Sequence, residues 1–152
     1  MRRKEKEVTS IPWMETVLRK AQICRIGLSL DNEPYIVPVN YGYKDRVLYF
    51  HSACEGQKLE MLRKNPRVCI QADIETTIEE SGIPCNWSTR YKSVIAFGSA
   101  KIIEDEEEKV EALSLIVAHY KEDFDGNYEF RDLEKVCLVR IDIEKMTGKQ
   151  SV

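Results

Sequence analysis

The sequence predicts a mainly β domain with helices, a small antiparallel barrel with helices packed at its ends. Three observations lead there. Six strand-like runs follow one another in mostly local order. Short polar turns join the first three, as in a meander of hairpins. Nothing alternates as βαβ units, which argues against doubly wound and TIM-barrel folds.

Taken in order, Ser10 can cap a short helix with Pro12 in its first turn and an apolar stripe of Met14, Val17, Leu18 and Ala21. Strands are expected at 23–30, 35–43 and 46–52, separated by the turns Asp31-Asn32-Glu33-Pro34 and Lys44-Asp45. A helix over 55–64 stops at Asn65-Pro66. A fourth strand, 67–73, alternates with Val68, Ile70 and Ala72 on one face. The stretch 75–89 reads as a long loop.

The run 90–103 is apolar on both faces, with Gly98 as a bulge or close-approach point. Burial of both faces points to contact with something beyond the chain's own core. Asp105 caps a helix over 106–120 with a stripe of Val110, Leu113, Val117 and Tyr120. The acidic run 104–108 is the dipole-favoured first turn of that helix rather than a metal cluster, and His119 is expected to face solvent. A last strand, 135–143, sets Cys137, Val139, Ile141 and Ile143 against polar partners.

At 152 residues the chain (1–152) is one domain, able to bury roughly 70% of its unfolded surface. A net charge of -3 argues against a general nucleic-acid binder. Arg63, Lys64 and Arg67 flank a helix end, where cations are structurally favoured. No apolar segment follows the charged N-terminus and no run reaches membrane-spanning length, so a soluble, cytoplasmic protein is expected. Five scattered cysteines without a CxxC pair, and only two histidines, argue against a zinc site or a disulfide framework. Cys24, Cys69 and Cys137 read as small apolar fillers.

Three segments carry chemistry. In 47–58 a strand ends at His51-Ser52 and a helix begins with Gly56 and Lys58 in its first turn, a setting that suits a phosphate. In 35–41, Pro38 interrupts a strand and leaves backbone groups and the Asn40 amide free for a planar, hydrogen-bonding ligand such as a flavin ring. In 85–94, Trp87 offers a stacking surface beside Arg90, Tyr91 and Lys92. Neither GxGxxG nor a Walker motif is present, and no catalytic set is recognisable from spacing. Chemistry supplied by a phosphorylated aromatic cofactor fits better than catalysis by the side chains themselves.

These segments, with Cys24-Arg25-Ile26-Gly27-Leu28, Asn65-Pro66-Arg67-Val68-Cys69 and 91–100, resemble the flavin-binding split-barrel superfamily that includes pyridoxamine 5'-phosphate oxidases, and more closely its Nim-type nitroimidazole-resistance branch. The resemblance implies a six-stranded split barrel that forms a homodimer, with FMN in clefts between subunits. It further implies that His51, Ser52 and Lys58 hold the phosphate and that Val37, Pro38, Val39 and Asn40 line the isoalloxazine ring. Trp87, Arg90, Tyr91 and Ser93 would close the site from the partner chain. The C-terminal stretch 143–149 lacks the Trp- and Arg-containing segment with which pyridoxamine oxidases recognise substrate, so vitamin B6 oxidation is not expected. The expected activity is FMN-dependent reduction of a small substrate such as a 5-nitroimidazole. The alternative is a non-catalytic flavin or haem binder, with His51 or His119 as axial ligand; a deazaflavin would make demands similar to those of FMN.

Overall fold

A computed structural model describes residues 3–121, 123–125 and 133–151. Among them run the strands β1 (Glu7–Val8), β2 (Cys24–Leu30), β3 (Glu33–Val39), β4 (Tyr41–Lys44), β5 (Val47–Ser52), β6 (Arg67–Glu79), β7 (Ser88–Ile102) and β8 (Cys137–Ser151), with helices α1 (Ile11–Lys20), α2 (Gln57–Lys64) and α3 (Glu106–Tyr120). The strands form one antiparallel sheet in the order β3-β2-β6-β7-β8-β5-β4, with β1 added to β8. Its two end strands, β3 and β4, are separated in sequence only by Asn40. The sheet must therefore curl until its edges meet at that residue, giving a barrel left split along the β3–β4 seam.

The core fills this barrel. Met14, Val17 and Leu18 of α1 pack with Ile26, Ile70, Val94, Val139 and Ile141. Ser10 accepts from the Trp13 N–H, as expected of the helix cap. A smaller second cluster joins Ala112 and Ile116 of α3 to Tyr49 and Leu138 on the outside of β5 and β8. Gly42 permits this packing: a Cβ there would lie 2.6 Å from the Leu115 backbone. No helix among the described residues is long and apolar enough to cross a membrane.

Several expectations change. The expected six strands become eight. The run 35–43 breaks at Asn40, because the chain there passes from one edge of the sheet to the other. Most of the expected loop 75–89 is paired: β6 and β7 continue outward as a two-stranded arm, with an irregularity between Ile74 and Thr77, leaving 80–87 as its tip. Beyond the barrel both faces of the arm meet solvent, so apolar alternation has no reason to appear. The last strand runs on to Ser151, with Glu144 bulged out opposite Gly98.

On α3 the buried positions are Ala112 and Ile116, whereas Val110 and Tyr120 are exposed, because the helix rests on Gly42 and Tyr49 rather than on its most hydrophobic side. His119 does not face solvent. It is half-buried, its Nε2 lies 2.8 Å from the Ala21 carbonyl, and its ring sits 4.5 and 4.8 Å from those of Tyr41 and Tyr120. Its Nε2 is thereby occupied, which leaves Nδ1 as the ring nitrogen a ligand could use. Cys24 and Cys137 are buried and Cys69 partly so, as fillers should be, and burial pushes the Cys24 thiol up to about 12.

Candidate flavin site

The junction of β5 and α2 brings together what an anion needs. Gly56 at the helix start has φ 119, which favours glycine, and among the described residues no side chain caps α2. The first N–H groups of the helix are thus open to a ligand. Lys58 lies in this first turn, half-buried, with its ammonium 5.2 Å from the Phe50 ring centroid. It has no ion pair or hydrogen bond among the described residues. Burial, with no carboxylate to offset it, lowers the Lys58 pKa from its ordinary value of 10.5. A half-buried, unpaired cation beside an uncapped helix start suits a phosphate.

Ser52 is half-buried and shares the face of β5 that carries Phe50. His51 is exposed on the opposite face, so the two neighbours from sequence do not converge on Lys58. Tyr41 pairs with Phe50, so the register carried one step further sets Asn40 abreast of His51. The seam residue therefore lies beside the end of β5, on the face of His51 rather than that of Ser52.

Along β3, Val37 is half-buried and Val39 buried, while Pro38 and Asn40 are exposed. Among the described residues the strand pairs only with β2, and Pro38 stands opposite Arg25. Its outer backbone edge is the unpaired wall that a hydrogen-bonding ring edge requires.

The third segment lies elsewhere. Ser93 stands opposite Asp73 on one side and Lys149 on the other, and Tyr91 opposite Ser151. Tyr91 and Ser93 line a cavity of about 370 Å3 with Gln71, Asp73 and Lys149. Arg90 is taken by Glu79 at 2.6 Å, and exposed Trp87 donates its indole N–H to the Ser81 carbonyl at 2.8 Å. β8 lies between β5 and β7, but Ser52 pairs with its Cys137 and Ser93 with its Lys149, twelve residues further along, roughly 40 Å at ordinary strand rise. Within one chain, then, Trp87, Arg90, Tyr91 and Ser93 do not close over Ser52 and Lys58.

A surface that sequence reading did not single out lies between them. Ile36, Ile95 and Phe97 are 68%, 41% and 42% exposed, and cross-strand pairing through Gly27, Cys69 and Gln71 puts all three on one outer face. A groove of about 330 Å3 runs along it between Pro34, Ile36 and Phe97. The available signal was the two-sided apolar character of β7, read without its partner strands.

The family model described as pyridoxamine 5'-phosphate oxidase matches residues 14–150. The chain belongs to the pyridoxamine 5'-phosphate oxidase-like family. Among solved structures, this family member is similar to a protein of Bacteroides thetaiotaomicron VPI-5482 assigned provisionally to 5-nitroimidazole antibiotic resistance. Identity is 34%, over 94% of this chain and 85% of that one, at a TM-score of 0.82. An FAD-binding protein of Mesorhizobium loti matches at 27% identity and a TM-score of 0.69, over 94% of this chain and 96% of that one. An uncharacterized protein of Rhizobium meliloti (strain 1021) is 36% identical over 55 residues, a stretch that spans 36% of each chain.

Proposed function

We propose that the protein is a homodimeric flavin-dependent oxidoreductase that holds its cofactor through the flavin 5'-phosphate, the group that FMN presents, and reduces a small nitroaromatic of the 5-nitroimidazole kind. The observation that carries this reading is the half-buried, unpaired Lys58 at an uncapped helix start. The substrate class rests on the 34% identity to the Bacteroides protein.

A bound flavin supplies hydride chemistry at its ring N5. The chain's own task is to bind and orient. Lys58, Ser52 and the first α2 N–H groups hold the phosphate, and the free edge of β3 around Pro38 and Asn40 meets the ring's polar edge. The apolar face of Ile36, Ile95 and Phe97 suits a second copy of the chain. Trp87, Tyr91 and Ser93 lie too far off to act on the same chain's phosphate site and are assigned to the partner's, where they exclude water. Arg90, already paired with Glu79, would have to exchange partners to join them. His51 is left outside the phosphate shell.

The purified protein should gain a bound-flavin visible spectrum on addition of FMN and oxidise NADH or NADPH with a nitroimidazole. No spectral change on adding FMN would refute the reading, and a spectrum without turnover would reduce it to a flavin carrier. Phe97→Glu should shift the protein to a monomer by light scattering and weaken FMN binding at least tenfold. A dimer that persists in that variant would move the interface elsewhere.

A further inference from the structure

The β6–β7 arm leaves the barrel at its irregularity. Ile74 pairs with Lys92 and Thr77 with Arg90, so Glu75 and Thr76 together stand against the single residue Tyr91. Such a bulge bends its strand. The cavity of about 370 Å3 that Tyr91 and Ser93 line lies at this bend. Tyr91, Ser93 and Ile95 alternate along β7 and so share one face. Lys149 stands opposite Ser93 on β8 and joins them in the cavity.

Lys149 is the group here that the fold leaves unexplained. It is half-buried, and it has no ion pair or hydrogen bond among the described residues. Its ammonium lies 5.5 Å from the Tyr91 ring centroid. The nearby carboxylates do not serve it. Asp73, which lines the same cavity, is held by Arg25 at 3.4 Å and by the Gln71 amide at 2.6 Å. Glu7 stands opposite Lys149 on β1, exposed, and forms no ion pair with it. On the other face of the arm the cations are matched, Arg90 with Glu79 and Lys92 with Glu75, each at 2.6 Å. Lys6 donates to the Ser151 hydroxyl at 2.6 Å, abreast of Tyr91, and adds a second positive charge. The Tyr91 and Ser93 hydroxyls make no hydrogen bond among the described residues. A half-buried cation, two free hydroxyls and an aromatic ring in one open cavity match a small ring that carries an anionic group.

We propose that this cavity is the substrate subsite and takes a small aromatic acid, its carboxylate on Lys149 and the Ser93 hydroxyl and its ring beside Tyr91 and Ile95. The inference rests on the flavin reading above and deepens it by naming the substrate's charge. Tyr91 and Ser93 are assigned to the partner's flavin cleft, so a ligand held here lies beside the partner's flavin. An ammonium attracts the full charge of a carboxylate, attracts a neutral nitro group only through partial charges, and repels an amine. Negatively charged nitroaromatics are therefore favoured over neutral ones, and cationic ones are rejected.

The test is calorimetric titration of the full-length protein, with saturating FMN present, using 4-nitrobenzoate, nitrobenzene and 4-nitrobenzylamine. The benzoate should bind at least fivefold more tightly than nitrobenzene, and the amine most weakly. Lys149→Met should weaken the benzoate about tenfold and leave nitrobenzene and FMN within twofold, whereas Lys149→Arg should keep the preference. Ser93→Ala should cost the benzoate about two- to threefold. FMN binding without a preference for the anionic probe would overturn this inference and leave the flavin reading intact. So would a Lys149→Met variant that loses FMN as strongly as the benzoate, because Lys149 would then belong to the flavin cradle. Benzoate bound through Lys149 by a protein that takes up no FMN would overturn the flavin reading and leave the anion site standing. Methionine keeps the apolar stem of Lys149, and an unchanged circular dichroism spectrum confirms that the variants fold.

Discussion

Gly98→Ala is expected to destabilise the fold by about 3 kcal/mol, the upper end of what overpacking costs. A Cβ at this position would lie 2.3 Å from the Asp142 carbonyl oxygen and 3.1 Å from Ile141 Cγ2, closer than neighbouring backbone can yield without moving. It cannot move freely. Here β7 and β8 lose one residue of register, with Phe97 opposite Lys145 and Gly98 opposite Ile143, so that Glu144 bulges out. The bulge is tied down from β5's side. Arg46 donates to the Glu144 carbonyl at 2.9 Å and accepts from the Ile143 N–H at 2.9 Å, while Arg67 pairs with the Glu144 carboxylate. Thermal unfolding should show a midpoint lowered by roughly 6–12 °C for a chain of this size. A shift below 2 °C would mean that the bulge relaxes and that the glycine is not required.

Lys58→Ala should weaken flavin binding by about 1.5–3 kcal/mol, roughly ten- to a hundredfold, as for a lost hydrogen bond to a charged group. Its effect on fold stability should be small or favourable, because the native chain now holds a half-buried ammonium without a partner. The pH dependence has a definite sign. Burial lowers the Lys58 pKa, so the ammonium is lost at a lower pH than in the unfolded chain, and phosphate affinity should fall as pH rises through that lowered value. Flavin-free stability should move the other way. Between the lowered pKa and the ordinary value of 10.5 the unfolded state binds more protons, so stability rises with pH across that window. Affinity measured from neutral to alkaline pH should show this falling limb in the native protein and not in Lys58→Ala. A limb that persists in the variant would assign the titration to another group.

Much of this was readable along the chain because it is local. The Ser10 and Asp105 caps, the α1 stripe, the strand alternations of 67–73 and 137–143, and Gly98 as a close-approach point all follow from spacing within a few residues. The phosphate-type junction was legible for the same reason, since Ser52, Gly56 and Lys58 lie within seven residues. His119 was misread because its partners are 78 to 98 positions away: Tyr41 and Ala21 belong to other elements. The β6–β7 arm was missed because strands paired only with each other, in solvent, carry no apolar period.

The sequence by itself determined the class of the fold, the family to which the chain belongs, and the helix start that can meet a phosphate. Periodicity and turn chemistry act through neighbours in sequence and need no tertiary contact to be seen. The tertiary structure alone decided the rest. It set Asn40 where the two sheet edges meet, carried β6 and β7 outward as a paired arm, and placed Ser93 twelve residues along β8 from the partner of Ser52. Those outcomes depend on strand order and register, which are fixed by packing between residues far apart in the chain.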